Sequence, residues 1–321
     1  MGHRIELPDE LGDSFSAALA RRHGVTRSRL RGQDLRAPFH GVRIAGHVLF
    51  DVQSDDPYER QRLLRIARAW EYAPRLHTGH FFSHETAASI WGGPLPLAIA
   101  DDGSPADDLA LHVCAFSPVA EPRSAGIIGH RTLASLTSVR EHDGLRVSSP
   151  AATWAALGSL PLYDVIALGD YFCRQWRPGR GRPTPGRPPL ATIDELRRAV
   201  EAGRRHGAAT LRAALDRIRE DSWSPRETRV RCILVDAGLP EPQLNVDVYD
   251  GTRFLGCVDM AYPDEKVAIE YFGMLHDATW AADVERIAAL RAAGWTVIEV
   301  TSPLLRRPEE LARRVASALN R

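Results

Sequence analysis

The sequence predicts an α/β (α+β) protein composed of several domains. Its 321 residues are enough for two or three domains. Hydrophobic residues make up 44% of the chain and charged residues 26%, which is the balance of a globular protein rather than a disordered one. Helical and strand-like patterns alternate along the chain, and a stretch rich in Pro, Gly and Arg interrupts them. We therefore expect a small N-terminal domain at 1–50, a mixed α/β region at 51–175, a linker with helices at 176–223 and a three-layer α/β/α domain at 224–321.

The charge balance narrows the classes of function. Lys plus Arg and Asp plus Glu number 41 each, so a basic coat over the whole surface is not expected, although local basic patches for nucleic acid remain possible. Lys266 is the only lysine. A genome rich in G and C explains the abundance of arginine, and arginines that face phosphate would bind it bidentately. No apolar run approaches the ~18 residues of a membrane helix. We expect a cytoplasmic protein that does not enter a membrane.

The first 50 residues follow the order helix, turn, helix and hairpin. A helix starts at Asp13 or Ser14 and stops at Gly24, and a second short helix has Thr26 as its N-cap. The segment "FHGVRIAGHVLF" is rich in β-formers and turns at glycines. This order is the outline of a winged helix-turn-helix.

The segment "RPGRGRPTPGRPP" at 177–189 is the clearest domain boundary. Its composition excludes regular secondary structure and offers little apolar area to bury. We interpret it as an exposed linker; the alternative is a basic loop that touches nucleic acid.

From Ser224 onward the predicted order is helix, three strands, helix, strand and helix. Ser224 is the N-cap of the first helix, Pro225 takes its first position, Glu227 its third, and Gly238 ends it. The segments "QLNVDVYD", "RFLGCVDMAY" and "KVAIEYFG" alternate as strands do.

Two acids lie within this predicted sheet. If "YPDE" is the turn and Ala261 pairs with Lys266, Asp259 lies opposite Ala268 and Glu270 is its diagonal neighbour on the same face. Carboxylates inside apolar strands cost several kcal/mol unless a cation or hydrogen bonds compensate. Mg²⁺ prefers such oxygen ligands. The alternative is that Asp259 is a strand-end turn residue and Glu270 a solvated edge residue.

The whole C-terminal segment resembles a known family. The stretches "SPRETRVRCILVDAGLPEPQLNV", "FLGCVDMAYPDEKVAIEYFGMLHD" and "ADVERIAALRAAGWTVIEVT" look like the endonuclease-like domain related to very-short-patch-repair (Vsr) enzymes, over roughly 95 residues. The resemblance implies a PD-(D/E)XK, restriction-endonuclease-like fold with Mg²⁺ or Mn²⁺ at Asp259 and Glu270. Glu227 matches the family's first-helix acid, and His276 and Asp283 match its later polar positions.

One position departs from the family pattern. The family usually reads "EYDG" where this chain reads "EYFG", so Phe272 replaces an acid. A side chain at this place normally orients the attacking water or stabilises charge beside the metal, which an apolar ring does not do. Lys266 is about 13 Å from Glu270 by strand rise and is too far to substitute. His276 or Asp283 could take over the role.

The upstream part also resembles a known family. The stretches "ARRHGVTRSRLRGQDLRAPFHGVRIA", "SHETAASIWGGPLP" and "GLRVSSPAATWAAL" look like the actinobacterial proteins with an AbiEi-type, antitoxin-like winged-helix region. The resemblance implies DNA binding through Arg27, Arg29 and Arg31. Residues two apart do not share a helix face, so all three cannot face DNA together. The alternative is a solvated helix in a small structural domain.

Two functional hypotheses follow. The first is a DNA-binding, metal-dependent endonuclease that hydrolyses phosphodiester bonds in repair or defence. The second is a nuclease-fold protein that has lost cleavage and acts as a DNA-binding regulator or antitoxin-like protein, which Phe272 favours. His77, His80 and His84 have spacings that suit a metal site, but Gly79 interrupts a helix there, so ordinary surface or capping roles are expected for them.

Overall fold

The computed structural model describes residues 6–180, 182, 184–272 and 277–320, and for 277–281 it describes the backbone alone. In chain order the helices are α1 (Ala17–Arg22), α2 (Pro57–Tyr72), α3 (His84–Ile90), α4 (Pro150–Ala156), α5 (Leu162–Cys173), α6 (Ile193–Glu201), α7 (Ala208–Leu215), α8 (Pro225–Asp236), α9 (Asp277–Ala292), α10 (Ser302–Leu305) and α11 (Pro308–Leu319). The strands are β1 (Ser14–Ser16), β2 (Leu35–Arg36), β3 (Val42–Ala45), β4 (His80–Phe82), β5 (Leu111–Phe116), β6 (Ile127–Thr132), β7 (Val139–His142), β8 (Leu145–Ser148), β9 (Gln243–Asp250), β10 (Arg253–Tyr262), β11 (Val267–Phe272) and β12 (Thr296–Thr301). The protein is therefore of the α+β class.

The chain forms two compact units. The first contains residues 1–160 and 194–212, and the second contains 161–193 and 213–321. The second unit thus includes the whole predicted nuclease domain at 224–321 together with α5 and the Pro/Gly/Arg-rich segment. Among the described residues, no helix is long and apolar enough to cross a membrane.

The N-terminal part of the first unit is a small antiparallel sheet in the order β1-β3-β2. Ser16, not Asp13 or Ser14, is the N-cap of α1, because residues 14–16 pair with β3 as a strand and the Ser16 hydroxyl accepts from the Leu19 amide at 3.1 Å. The predicted second helix is only a 3₁₀ turn, Arg29–Arg31, although Thr26 Oγ1 does accept from the Arg29 amide at 3.2 Å. Here the β pairing and the short loop overrode local helix propensity.

The larger sheet of the first unit has the order β6-β5-β4-β8-β7. Strands β5 and β6 run parallel, whereas β4 and β5 run antiparallel. Helix α3 follows β4 directly and packs against β5. The first residue of α3 is therefore held next to the β5–β6 pair.

The sheet of the second unit has the order β12-β11-β10-β9, with a parallel β11–β12 pair beside an antiparallel β9–β10–β11 meander. Helices α8 and α11 pack against Met260, Ile269 and Val300. Helix α9 packs through Ile287 and Leu290 against a second cluster that contains Ala261, Ala268 and Val297. Because neighbouring strand residues point to opposite faces, helices cover both faces of this sheet.

A buried ion pair joins α5 to α8. Arg231 Nη2 lies 3.1 Å from Asp170 Oδ2, and both side chains are 2% exposed. Asp170 also accepts from the Thr228 hydroxyl and from the Arg219 amide, each at 2.7 Å. Arg231 binds Glu241 at 3.0 Å as well. This network fixes the helix on which the predicted catalytic acid Glu227 lies.

Removal of one partner of this pair should destabilise the protein strongly. We expect Asp170→Ala to lower the free energy of unfolding of this unit by about 3–5 kcal/mol, because it leaves a buried guanidinium without its carboxylate. Urea denaturation measures the change. The matched control in the same unit is Glu299→Ala, which breaks the ion pair between Glu299 and Arg291, whose side chains are 44% and 55% exposed, and should cost less than about 1 kcal/mol. Equal losses in both variants would contradict the structural role of the pair.

Candidate active site

The β10–β11 hairpin places Asp259 and Glu270 one residue beyond its last observed pair, Met260 and Ile269. Ala261 pairs with Ala268, and the turn spans residues 263–266 instead of "YPDE". The predicted register was wrong by two residues because Lys266 adopts a left-handed φ of +50° within the turn instead of pairing as a strand residue. Continuing the observed register puts Asp259 directly opposite Glu270 on one face. The Cβ atoms of such a pair lie about 4.5–5.5 Å apart.

Glu270 is buried, and Asp259 is half-buried. Asp259 Oδ2 accepts from the Tyr271 amide at 2.8 Å. The Glu270 side chain is 5% exposed and pairs with the Arg286 guanidinium. Burial and the negative charge of Asp259 raise the pKa of Glu270 to about 8, against the opposing effect of Arg286. Burial also raises the pKa of Asp259. The alternative that Glu270 is a solvated edge residue is thereby excluded.

A third acid reaches the same place from α8. Ser224 is the N-cap and Pro225 the first residue of this helix, as predicted, and the Ser224 hydroxyl accepts from the Glu227 amide at 3.2 Å. Glu227 Oε2 accepts from the Trp223 amide at 2.9 Å and from Asn245 Nδ2 at 3.0 Å. Burial, together with the charge of Asp259, raises the pKa of Glu227 to about 7. Glu227, Asp259 and Glu270 therefore interact electrostatically as one cluster.

Helix α9 supplies Arg286 and Asp283. Arg286 pairs with Glu270 and, at 3.1 Å, with Asp283. The charge of Asp283 raises the pKa of Asp259, so Asp283 also lies within electrostatic range of the cluster. Arg286 passes close to β10 at Gly256, where a Cβ atom would lie 2.7 Å from its Cδ. Because Gly256 has no side chain, the Arg286 side chain can lie against this strand and reach the acids.

The donor set fits a hard divalent cation. Carboxylate oxygens are the ligands that Mg²⁺ and Mn²⁺ prefer. The three acids Glu227, Asp259 and Glu270 exceed the one guanidinium that pairs with Glu270. Burial is the main cause of the raised pKa of each acid, and the charge of Asp259 adds to it for Glu227 and Glu270. A divalent cation held by Asp259 and Glu270 would remove this repulsion.

The Pro/Gly/Arg-rich segment contributes cations beside the acids. Arg182 Nη2 binds Asp247 Oδ1 at 2.7 Å and the Asn245 carbonyl at 3.1 Å, so this side chain lies on β9. Its guanidinium also stacks on the Trp223 ring at 5.3 Å. The described residues of the segment, 177–180, 182 and 184–189, form no helix or strand, as predicted, but Arg182 is anchored and only 10% exposed. Further arginine–tryptophan contacts continue the stack: Arg174 on Trp223 and Trp176, and Arg187 on Trp176.

The other predicted site residues lie in the first unit or outside the described residues, except Phe272, which is the last residue of β11, the strand of Glu270. His276 lies outside the described residues. Arg29 binds Asp34 at 2.8 Å with its side chain 10% exposed, so it has a structural partner within the N-terminal turn. Arg27 and Arg31 are exposed, and Arg31 Nε lies 3.4 Å from the Arg27 carbonyl. Phe272 packs against the apolar cluster that contains Ile287. Its side chain has no polar atom that could bind a metal or orient water.

Two curated relatives match the chain. They are uncharacterized proteins of Mycobacterium tuberculosis, from strains CDC 1551 / Oshkosh and ATCC 25618 / H37Rv. Each is 30% identical over 148 residues, which is 41% of this chain and 55% of the relative, so the chain spans about half the length of the curated relatives it matches. No family model and no solved structure matches the chain. The function proposed below therefore depends on the arrangement of the side chains.

Sequence reasoning missed Asn245, Arg286 and Arg182. Arg286 had a usable signal, because Asp283 and Arg286 are three residues apart and share a helix face. Asn245 depends on the β9–β10 register, and its left-handed φ of +49° gives no sequence pattern. Arg182 is one of several arginines in an irregular segment, and only the folded chain distinguishes it from its neighbours.

The raised pKa of Glu270 predicts how the stability of the metal-free protein depends on pH. The folded pKa is about 8 and the ordinary value is 4.5. The folded state holds this proton more tightly, so its contribution to stability is complete below about pH 4.5 and is lost as the pH rises through about 8. We expect the free energy of unfolding in EDTA to fall over this range, and Glu270→Gln to remove ~1–3 kcal/mol of that fall.

Urea denaturation at a series of pH values measures this effect. Glu299→Gln is the matched control, because Glu299 pairs with Glu270 in the β11–β12 register but is 44% exposed and binds Arg291. Its pH profile should equal that of the native protein. An unchanged profile in Glu270→Gln would disprove the burial of an ionisable group at this position.

Proposed function

We propose that this protein is a DNA-binding endonuclease that hydrolyses phosphodiester bonds with Mg²⁺ or Mn²⁺ held by Asp259 and Glu270. One observation carries the proposal: Asp259 and Glu270 lie on one face of the β10–β11 hairpin, and Glu227 on α8 lies within electrostatic range of Asp259, with the Arg286 guanidinium paired to Glu270. Such an arrangement costs stability in a metal-free sheet, and a bound cation would offset that cost. Helices on both faces of the four-stranded sheet support the restriction-endonuclease-like fold that the sequence predicts.

Each residue of the site has a role in this reaction. The chemistry supplied by a bound Mg²⁺ or Mn²⁺ is Lewis-acid polarisation of the phosphodiester. Glu227, with a pKa of about 7, can accept one proton of the attacking water as the new P–O bond forms. The P–O bond to the leaving oxygen breaks, that oxygen takes a proton from bulk water, and the proton held by Glu227 then returns to the solvent. Asn245 and the Trp223 amide hold the Glu227 carboxylate in place. Arg286 offsets part of the negative charge and fixes the orientation of Glu270.

Binding of DNA is assigned to arginines in each unit. In the first unit, Arg27 and Arg31 are the exposed arginines of the N-terminal turn, as a winged-helix role requires. In the second unit, the half-buried Arg174 and the exposed Arg187 both stack on Trp176, and Arg174 lies within electrostatic range of Glu227. Guanidinium groups bind phosphate oxygens through two parallel hydrogen bonds. These arginines would hold the DNA backbone, and therefore carry no sequence preference of their own.

The alternative function is a regulator that binds DNA through the same fold without cleaving it. Phe272 favours this alternative, because it places an aromatic ring where the resembling family has an acid. Asp283 favours activity, because it lies within electrostatic range of Asp259 and is held by Arg286. Asp283 would then supply the third carboxylate that Phe272 omits.

Loss of Asp259 should abolish cleavage. We expect the native chain to cleave plasmid or single-stranded DNA with Mg²⁺ or Mn²⁺, and Asp259→Asn to reduce the rate by at least about 100-fold, the usual effect of removing a charge-stabilising group at a catalytic centre. Glu299→Gln changes a neighbouring exposed acid and should keep the native rate. Equal cleavage by all three proteins would identify a contaminating nuclease and overturn the assignment.

Restoring an acid at residue 272 should distinguish the two functions. We expect Phe272→Asp to raise the cleavage rate about tenfold or more, because an added carboxylate strengthens divalent-cation binding. Phe272→Leu preserves the apolar packing against the Ile287 cluster and should leave the rate unchanged. Gel-shift assays on each variant measure DNA binding in parallel. If neither the native protein nor Phe272→Asp cleaves DNA with any metal while both bind it, the regulator is the correct function.

A further inference from the structure

The first unit contains three imidazoles that meet at one place. His84 is the first residue of α3, His112 lies on β5 and His130 on β6, and one ring nitrogen from each lies within 4.8 Å of the other two. His112 Nδ1 and His130 Nε2 are 2.9 Å apart, and the His84 ring stacks on the His130 ring at 3.7 Å. We propose that these three residues, the histidine triad, bind a divalent transition-metal ion of the Zn²⁺ class.

The fold assembles the triad from three separate elements. His112 and Cys114 are two residues apart on β5 and so share a face, and His130 pairs with Cys114 in the parallel β5–β6 register. His112 and His130 are therefore diagonal neighbours on one face of the sheet. His84 joins them because α3 packs against β5. The site rests on rigid strands and on the first turn of a helix, which suits a metal centre.

The spacing of the ring nitrogens is close to that of a metal centre, and the stacked rings must rotate to direct all three nitrogens at one ion. Two imidazole nitrogens on one tetrahedral Zn²⁺ are about 3.4 Å apart, given Zn–N bonds of about 2.0–2.1 Å. His84 Nδ1 lies 3.0 Å from the Ser83 hydroxyl. His112 Nε2 lies 3.9 Å from Glu85, which itself binds Arg65 at 3.3 Å. Metal-binding imidazoles commonly direct their second nitrogen toward such a hydroxyl or carboxylate, which orients the ring.

The backbone of His84 is a second, independent sign of a ligand site. Its φ is +49°, in the left-handed region that costs free energy for any residue with a side chain. Strained residues of this kind concentrate at ligand-binding positions, where the surrounding structure holds them. Here the strained residue is the one that brings the third imidazole to the other two.

The donor set determines the class of ion. Three imidazoles suit Zn²⁺, Co²⁺, Ni²⁺ or Cu²⁺, whereas Mg²⁺ and Ca²⁺ require oxygen ligands. Burial lowers the pKa of all three rings, which favours the neutral form that binds metals. Three protein ligands leave a coordination position open. His84 and His130 line a cavity of about 420 Å³ that is also lined by Arg131, Arg204 and Arg205, so water or a small anion could complete the coordination.

The experiment uses the full chain carrying Asp259→Asn, so that the acid cluster of the second unit does not take up the metal. Protein stripped with EDTA is titrated with Zn²⁺ in a calorimeter and with Co²⁺ in a spectrometer, in the presence of excess Mg²⁺. We expect one ion per chain and the intense visible bands of low-coordinate Co²⁺. His112→Ala and His130→Ala should each weaken Zn²⁺ binding by more than about 100-fold, because even loss of a second-contact residue costs 10–100-fold.

His47→Ala is the matched control, because His47 belongs to the same unit but its side chain is 72% exposed and outside the triad. It should bind Zn²⁺ as the parent does. Circular dichroism verifies that each variant folds, and His112→Asn replaces His112→Ala if the latter does not. Absence of Zn²⁺ binding in the parent, equal binding in the triad variants, or six-coordinate Co²⁺ spectra would overturn the proposal. The outcome is independent of DNA cleavage, because Asp259 is absent throughout.

Discussion

Three carboxylates held out of water govern the architecture of the second unit. Glu227, Asp259 and Glu270 repel one another, and burial strengthens that repulsion because little solvent screens it. Among the described residues, Arg286 is the only arginine whose guanidinium pairs with Glu270. A sheet selected for stability alone would place apolar residues at these positions. In the proposed function a divalent cation offsets this repulsion, and the surrounding elements hold the acids in position.

Several contacts in the second unit hold Glu227, Asp259 and Glu270 in position. The Asp170–Arg231 pair fixes α8 against α5, and the Ser224 cap then sets the first turn of α8 so that Glu227 faces the sheet. The four-residue turn of the hairpin sets the register that aligns Asp259 with Glu270. On β9, the strand that pairs with β10, the Asn245 side chain donates a hydrogen bond to the Glu227 carboxylate. Helix packing, turn geometry and strand pairing thus converge on one point, although each has a local physical cause.

The two candidate sites differ in their ligand chemistry. The acids of the second unit are hard oxygen donors that suit Mg²⁺ or Mn²⁺, and the triad of the first unit consists of imidazoles that suit Zn²⁺. The pKa shifts differ accordingly: burial raises the pKa of Glu270 to about 8 and lowers that of His84 to about 3. Each shift moves its group toward the neutral form. A bound cation would restore the charge of the acids but would leave the imidazoles neutral.

By itself the sequence determined the local elements whose causes lie within a few residues. Ser224, Pro225 and Glu227 specified the start of α8, and the alternating apolar residues specified β10 and β11, because caps and periodicity are short-range effects. The tertiary structure decided what depends on pairing between distant segments. The observed hairpin register differs from the predicted one by two residues, and the expected second N-terminal helix is a single 3₁₀ turn. The tertiary structure also assembled His84, His112 and His130 from three elements, because strand partners and sheet order follow from long-range packing that local propensity does not specify.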